Sequence, residues 1–126
     1  MRRDMDLIRG LLMQVEEADR PVGIGELDFL GHGREEVAYH VELMQARGLI
    51  DARVRRVKGN MLADCTVLGL TWDGADFLDS MRDERIWARA KGAIRDTVGS
   101  TTLDVVRAVC GKVALSMVMA AVTGGA

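Results

Sequence analysis

The sequence is poor in the residues that build catalytic or metal-binding chemistry. It holds two cysteines, Cys65 and Cys110, and two histidines, His32 and His40. No Cys-x-x-Cys pair exists, and two thiols are too few for a disulfide framework. Both read as reduced, apolar-facing groups of a cytoplasmic protein. The histidine spacing matches no metal-ligand pattern, so neither a metal nor a cofactor is expected. Gly-x-Ser-x-Gly and Walker-type loops are missing, and Gly23-Ile24-Gly25 is too short for a dinucleotide fingerprint. Cys65 has no activating histidine in view. The acid pairs Glu16-Glu17 and Glu35-Glu36 read as helix surface. An enzyme is not expected.

Charge of one sign is lacking too. Seventeen basic residues stand against 19 acidic ones, a net −2, so bulk charge does not announce a nucleic-acid binder. Arg2 and Arg3 are followed by Asp4, Asp6, Glu16, Glu17 and Asp19, which is not a signal-peptide pattern. One long apolar run, Val105 to Val122, raises a membrane question. Arg107 and Lys112 interrupt it, each costing ~3 kcal/mol at a bilayer centre, so a membrane span is disfavoured. Gly111, Ser116 and the alanines suit close helix packing instead. What remains is a globular profile: 126 residues, 48% apolar and 29% charged, enough for one compact domain and an added helical element.

Periodicity orders the chain. Met5, Ile8, Leu11, Leu12 and Val15 mark an amphipathic helix over 4–17, with Asp4 and Asp6 complementing its dipole. The single proline sits in Arg20-Pro21-Val22-Gly23, which ends it. Gly25 to Leu30 suggests a short second helix, with Leu27, Phe29 and Leu30 as its apolar content. Arg34 to Arg47 reads as a third, with Val37, His40, Val41 and Met44 inward and Gly48 ending it. His40 is expected to cap the core by a hydrogen bond, and His32 lies in a turn without a visible partner. Ile50, Ala52 and Val54 then alternate with Asp51, Arg53 and Arg55. Lys58-Gly59-Asn60 turns the chain, and Met61 to Leu70 returns as a second strand.

Beyond the hairpin three more helices are expected. Thr71 can cap the first, Trp72 to about Arg82, in which Ala75, Leu78 and Met81 share a side and Trp72 and Phe77 add buried area. Asp83 can cap or kink the entry to Glu84–Val98, with Trp87, Ala90, Ile94 and Val98 apolar. Gly99-Ser100-Thr101-Thr102 punctuates, and the last helix runs from Leu103 to about Thr123. Its stripe of Leu103, Val106, Cys110, Val113, Met117 and Ala120, with further apolar residues around it, points to a two-fold dimer. The expected fold class is mainly α with a small β-hairpin (α+β). A winged helix-turn-helix domain over 1–82 precedes a C-terminal helical extension over 83–126.

The stretch Tyr39-His40-Val41-Glu42-Leu43-Met44-Gln45-Ala46-Arg47-Gly48-Leu49-Ile50 resembles the recognition-helix-to-wing junction of bacterial winged-helix regulators. With Arg3-Asp4-Met5-Asp6-Leu7-Ile8-Arg9, Leu70-Thr71-Trp72-Asp73-Gly74-Ala75-Asp76-Phe77-Leu78-Asp79 and Arg82-Asp83-Glu84-Arg85-Ile86-Trp87, it is similar to a domain-of-unknown-function family. That family is common in bacteria, phages and prophages. The resemblance implies a winged-helix-like fold and no established activity. Ala75 stands where the family tends to have histidine.

Four cations in six residues, Arg53, Arg55, Arg56 and Lys58, suit backbone phosphates, with Arg34, Tyr39 and Glu42 sampling a groove. The same cations would also serve a solvated edge strand that blocks aggregation. Glu35, Glu36 and Glu42 set the third helix against a phosphate backbone. Arg85, Arg89, Lys91 and Arg95 read as a solvated helix face, and Trp72 and Trp87 as core anchors. A cytoplasmic DNA-binding regulator that self-associates as a homodimer is expected. A protein-interaction module of the same shape, with a protein partner, stands as the alternative.

Overall fold

The computed structural model describes residues 1–27, 31–97 and 102–124, the side chain of Thr97 excepted. The chain is mainly helical, with a small three-stranded antiparallel sheet, and divides into two compact units, Met1–Leu78 and Asp79–Ala126.

The first unit opens with α1, Met5–Ala18. Asp4 is its N-cap, its carboxylate accepting from the Leu7 amide at 3.1 Å, and Asp19 closes it with φ at 52°. Leu7, Ile8, Leu11, Leu12 and Val15 are buried on one side. Strand β1, only Val22–Gly23, pairs with Val67 and Thr66 far along the chain, an element that two residues cannot announce by periodicity. Arg20 and Glu26 brace the turn around Pro21 with an ion pair of 2.9 Å, and Glu26 also accepts from the Gly23 amide.

A single 3-10 turn, Ile24–Glu26, follows, and Leu27 is extended with φ −86° and ψ 144°. The described part of the expected second helix is therefore not α-helical; Asp28, Phe29 and Leu30 lie outside the described residues.

Helix α2, Arg34–Ala46, buries Val37, Ala38, His40, Val41 and Met44. It ends as the glycine demands. Gly48 takes φ +84°, its amide donates to Gln45 O, and the Leu49 amide reaches Met44 O, both at 2.9 Å. β2, Ile50–Val57, and β3, Met61–Leu70, form the hairpin, joined by Lys58–Asn60 with Gly59 and Asn60 left-handed. The order β1-β3-β2 leaves β2 at the edge. Leu68 and Ala63 are skipped in the pairing, so both irregularities bend β3 while β2 alternates without interruption.

Thr71 ties the end of the hairpin back to the end of α2. Its amide donates to Leu49 O at 3.1 Å and its hydroxyl to Gly48 O. The same hydroxyl accepts from the Gly74 amide at 3.0 Å, capping α3, Trp72–Met81. Gly74 lies so close to the Leu49 carbonyl that no side chain fits there.

Phe77, Leu78 and Met81 are buried, whereas Trp72 is 83% exposed, a correction to its expected core position. The helix wheel explains it: at 100° per residue, Trp72 points opposite to Gly74, Phe77, Leu78 and Met81.

The second unit carries α4, Glu84–Thr97, and α5, Leu103–Thr123. Asp83 caps α4, accepting from the Arg85 and Ile86 amides at 2.8 and 3.1 Å. Trp87 and Ala90 are buried, with Ile94 half-buried; Val98 lies outside the described residues. Thr102 caps α5 through the Val105 amide.

Candidate functional site

The unbroken alternation of β2 decides where its cations go. Arg53 and Arg55 share the parity of Asp51 and are exposed, and Lys58 is exposed at the turn. Among the described residues none of these three cations has an ion pair.

Arg56 differs, because its parity is that of Ile50, Ala52 and Val54, the side turned toward α2. Its Nη2 and Nε donate to Glu42 Oε1 at 2.6 and 3.0 Å. Its Nη1 reaches Glu35 Oε2 at 3.2 Å and the Asn60 carbonyl at 3.1 Å. These hydrogen bonds, Glu42 first and Glu35 second, raise the guanidinium pKa above its ordinary value. Arg56, expected at a phosphate, here clamps α2 to the hairpin. The parity of residue 56 was the signal that would have found it.

On α2, Arg34 is exposed at the first position and Tyr39 is half-buried, its ring edge-on to His40 at 5.5 Å between centroids. Glu42 holds Arg56 while its side chain stays partly exposed. Between the second half of α2 and the edge strand runs an open groove of about 820 Å³. Glu42, Gln45, Ala46, Val54 and Arg55 are among its lining residues.

Behind this face the two histidines join α1 to α2. His40 is fully buried; its Nε2 accepts from the Asp4 amide and its Nδ1 donates to the Glu36 carbonyl, each at 2.8 Å. An amide can only donate and a carbonyl only accept, which fixes the neutral Nδ1–H tautomer. His32, expected to stand without a partner, instead contacts the Glu36 carboxylate through Nδ1 and Asp4 Oδ2 through Nε2, the latter at 3.2 Å. Its two carboxylates lie on opposite edges of the ring and do not converge on a point. Among the described residues no three metal-ligating side chains come together.

The family model described as "Hypothetical protein (DUF2513)" matches residues 2–101. The chain belongs to the DUF2513 family. An uncharacterized protein of Haemophilus influenzae is 32% identical over 112 residues, covering 86% of this chain and 92% of its own length. No solved structure matches.

The DUF2513 match covers both histidines, the hairpin and α4, and ends just before α5. α5 is long and apolar enough to cross a membrane by length and composition. The first half of the stripe expected to form an oligomer interface is taken up within the chain. Leu103, Val106 and Cys110 are buried in the α4–α5 packing, Val113 and Met117 are half-buried, and Ala120 is exposed. Cys65 and Cys110 are both buried, and among the described residues neither is in a disulfide.

Proposed function

We propose that this DUF2513 chain is a non-catalytic winged-helix binding protein that engages duplex DNA, a cytoplasmic regulator of phage or prophage type. One observation carries the reading: Arg53, Arg55 and Lys58 are exposed on an edge strand and its turn and, among the described residues, have no ion pair. Cations so displayed can each neutralise a backbone phosphate, releasing a counterion. The clamp at Arg56 supports the same reading. It partly cancels Glu35 and Glu42, the carboxylates that would otherwise repel a duplex from α2, while Arg34 and Arg47 stand at the two ends of that helix.

Anisotropy of a labelled random-sequence duplex, titrated at several salt concentrations, tests it. Three phosphate contacts give a log–log salt slope of about −2.7, and Arg53→Glu with Arg55→Glu should reduce its magnitude by at least about 1.8. Affinity and slope unchanged in that double variant would sink the proposal.

A protein partner is the second reading. It is favoured by the open groove beside β2, where an edge strand of eight residues could accept an extended peptide. Capture of a host protein that survives nuclease treatment and is lost on Val54→Lys, with no duplex binding, would decide for it.

A further inference from the structure

α5 carries two apolar faces, centred roughly 140° apart at 100° per residue. One holds Leu103, Val106 and Cys110, packed on α4. The other is uncovered: Ala108, Gly111, Leu115, Val118, Met119 and Val122 share one side of the helix wheel and are all exposed. Four of them are large, with 50–70% of their surface open. The mismatch of lengths contributes, since α4 has 14 residues and α5 has 21, so α5 outruns its partner by about 10 Å.

We propose that this second face binds a second copy of the chain, the two α5 helices crossing antiparallel about Leu115. The face is small at its start and bulky at its end, and only an antiparallel mate complements that taper. With Leu115 on the two-fold axis, Met119 lies over Gly111 of the partner subunit and Val122 over Ala108 of the partner subunit. A Cβ built on Gly111 meets nothing within 4 Å, so the notch is open to receive a side chain from outside. A parallel pair would set bulk against bulk and bring the two Lys112 ammoniums abreast; the antiparallel pair staggers them and opposes the helix dipoles. One helix face about 25 Å long supplies less than the ~800 Å² per partner of tight complexes, so the dimer is concentration-dependent. This assembly is independent of the duplex reading.

Sedimentation equilibrium of the full chain tests it, together with Gly111→Leu, which fills the notch on a helical and open position. The wild type should shift from monomer to dimer across the micromolar range. Gly111→Leu should weaken association at least tenfold with unchanged helicity. Under oxidation, Leu115→Cys should crosslink to its own copy and Val122→Cys should not. A wild type that stays monomeric, a Gly111→Leu variant that dimerises as well as the wild type, or equal crosslinking at 115 and 122 would each overturn the proposal. So would a monomer that co-sediments with anionic vesicles, and does so more strongly as Gly111→Leu, because a bilayer rewards added apolar surface where a notched partner rejects it.

Discussion

Arg56 places two donors on one carboxylate oxygen of Glu42, its Nη2 at 2.6 Å and its Nε at 3.0 Å, and so joins the hairpin to α2. The cation is engaged within its own chain, whereas Arg53 and Arg55, neighbours in sequence, have no ion pair among the described residues. We therefore expect Arg56→Ala to change duplex affinity by no more than about twofold, while each of Arg53→Ala and Arg55→Ala loses severalfold at low salt. Thermal melts of Arg56→Ala, Glu42→Ala and the double variant should show a coupling that shrinks as salt rises. Additive melts would mean that the clamp does not form.

The close approach of α3 to the end of α2 makes a second expectation sharp. An added Cβ on Gly74 would stand 1.8 Å from the carbonyl oxygen of Leu49, a backbone atom that cannot swing away. That carbonyl already accepts from the Thr71 amide. Gly74→Ala should destabilise by about 3 kcal/mol even though alanine is the better helix former, and urea midpoints would measure it. A variant as stable as the wild type would show that α3 does not seat there.

Much of this architecture was legible because its signals are local. Asp4, Thr71 and Asp83 cap helices as their hydroxyl or carboxylate chemistry suggests, and Gly48 ends α2 where a left-handed residue is needed. The alternation from Ile50 to Arg55 marked β2. What escaped depended on phase or on distant partners. Residue type alone sets Trp72 in the core and Arg56 on a phosphate, whereas helical position turns one outward and strand parity turns the other toward α2. β1 escaped because its two residues are specified by Val67 and Thr66, far along the chain. His32 meets its partners only once the start of α1 lies beside α2. The burial of Leu103, Val106 and Cys110 followed from a neighbouring helix, which an apolar stripe cannot distinguish from a second copy.

The two tryptophans should report their different settings directly. Trp72 is 83% exposed and Trp87 is 4% exposed. Acrylamide should quench one component readily and spare the other, and Trp72→Phe should remove the quenchable, red-shifted part of the emission. Trp87→Ala should cost about 3–5 kcal/mol, the usual range for emptying an aromatic site in a core. Trp72→Ala should stay within about 0.5 kcal/mol, as for a surface position. A wild-type spectrum with both tryptophans shielded would contradict the phase of α3.

Cys65 gives the chain a pH dependence whose sign can be worked out. The residue is 1% exposed, and burial first, then the Asp64 and Glu42 charges, pushes the thiol up to about 11 from an ordinary value near 9. The folded state therefore favours the neutral thiol. Between these two values the unfolded chain has lost a proton that the folded chain keeps, so stability falls as pH rises through that window and is unaffected below it. Two pKa units correspond to about 3 kcal/mol at full development. Urea unfolding at intervals from pH 8 to 11 should show this loss in the wild type. Cys65→Ala should start lower at pH 8, through the cavity it leaves, and decline less steeply, so that the two curves converge toward pH 11. The same burial predicts that native protein at pH 8 reacts slowly with an aromatic disulfide reagent, and that both Cys65 and Cys110 react at once on denaturation. Parallel pH curves for the two proteins, or rapid reaction of native Cys65, would place that thiol in water rather than beneath α2.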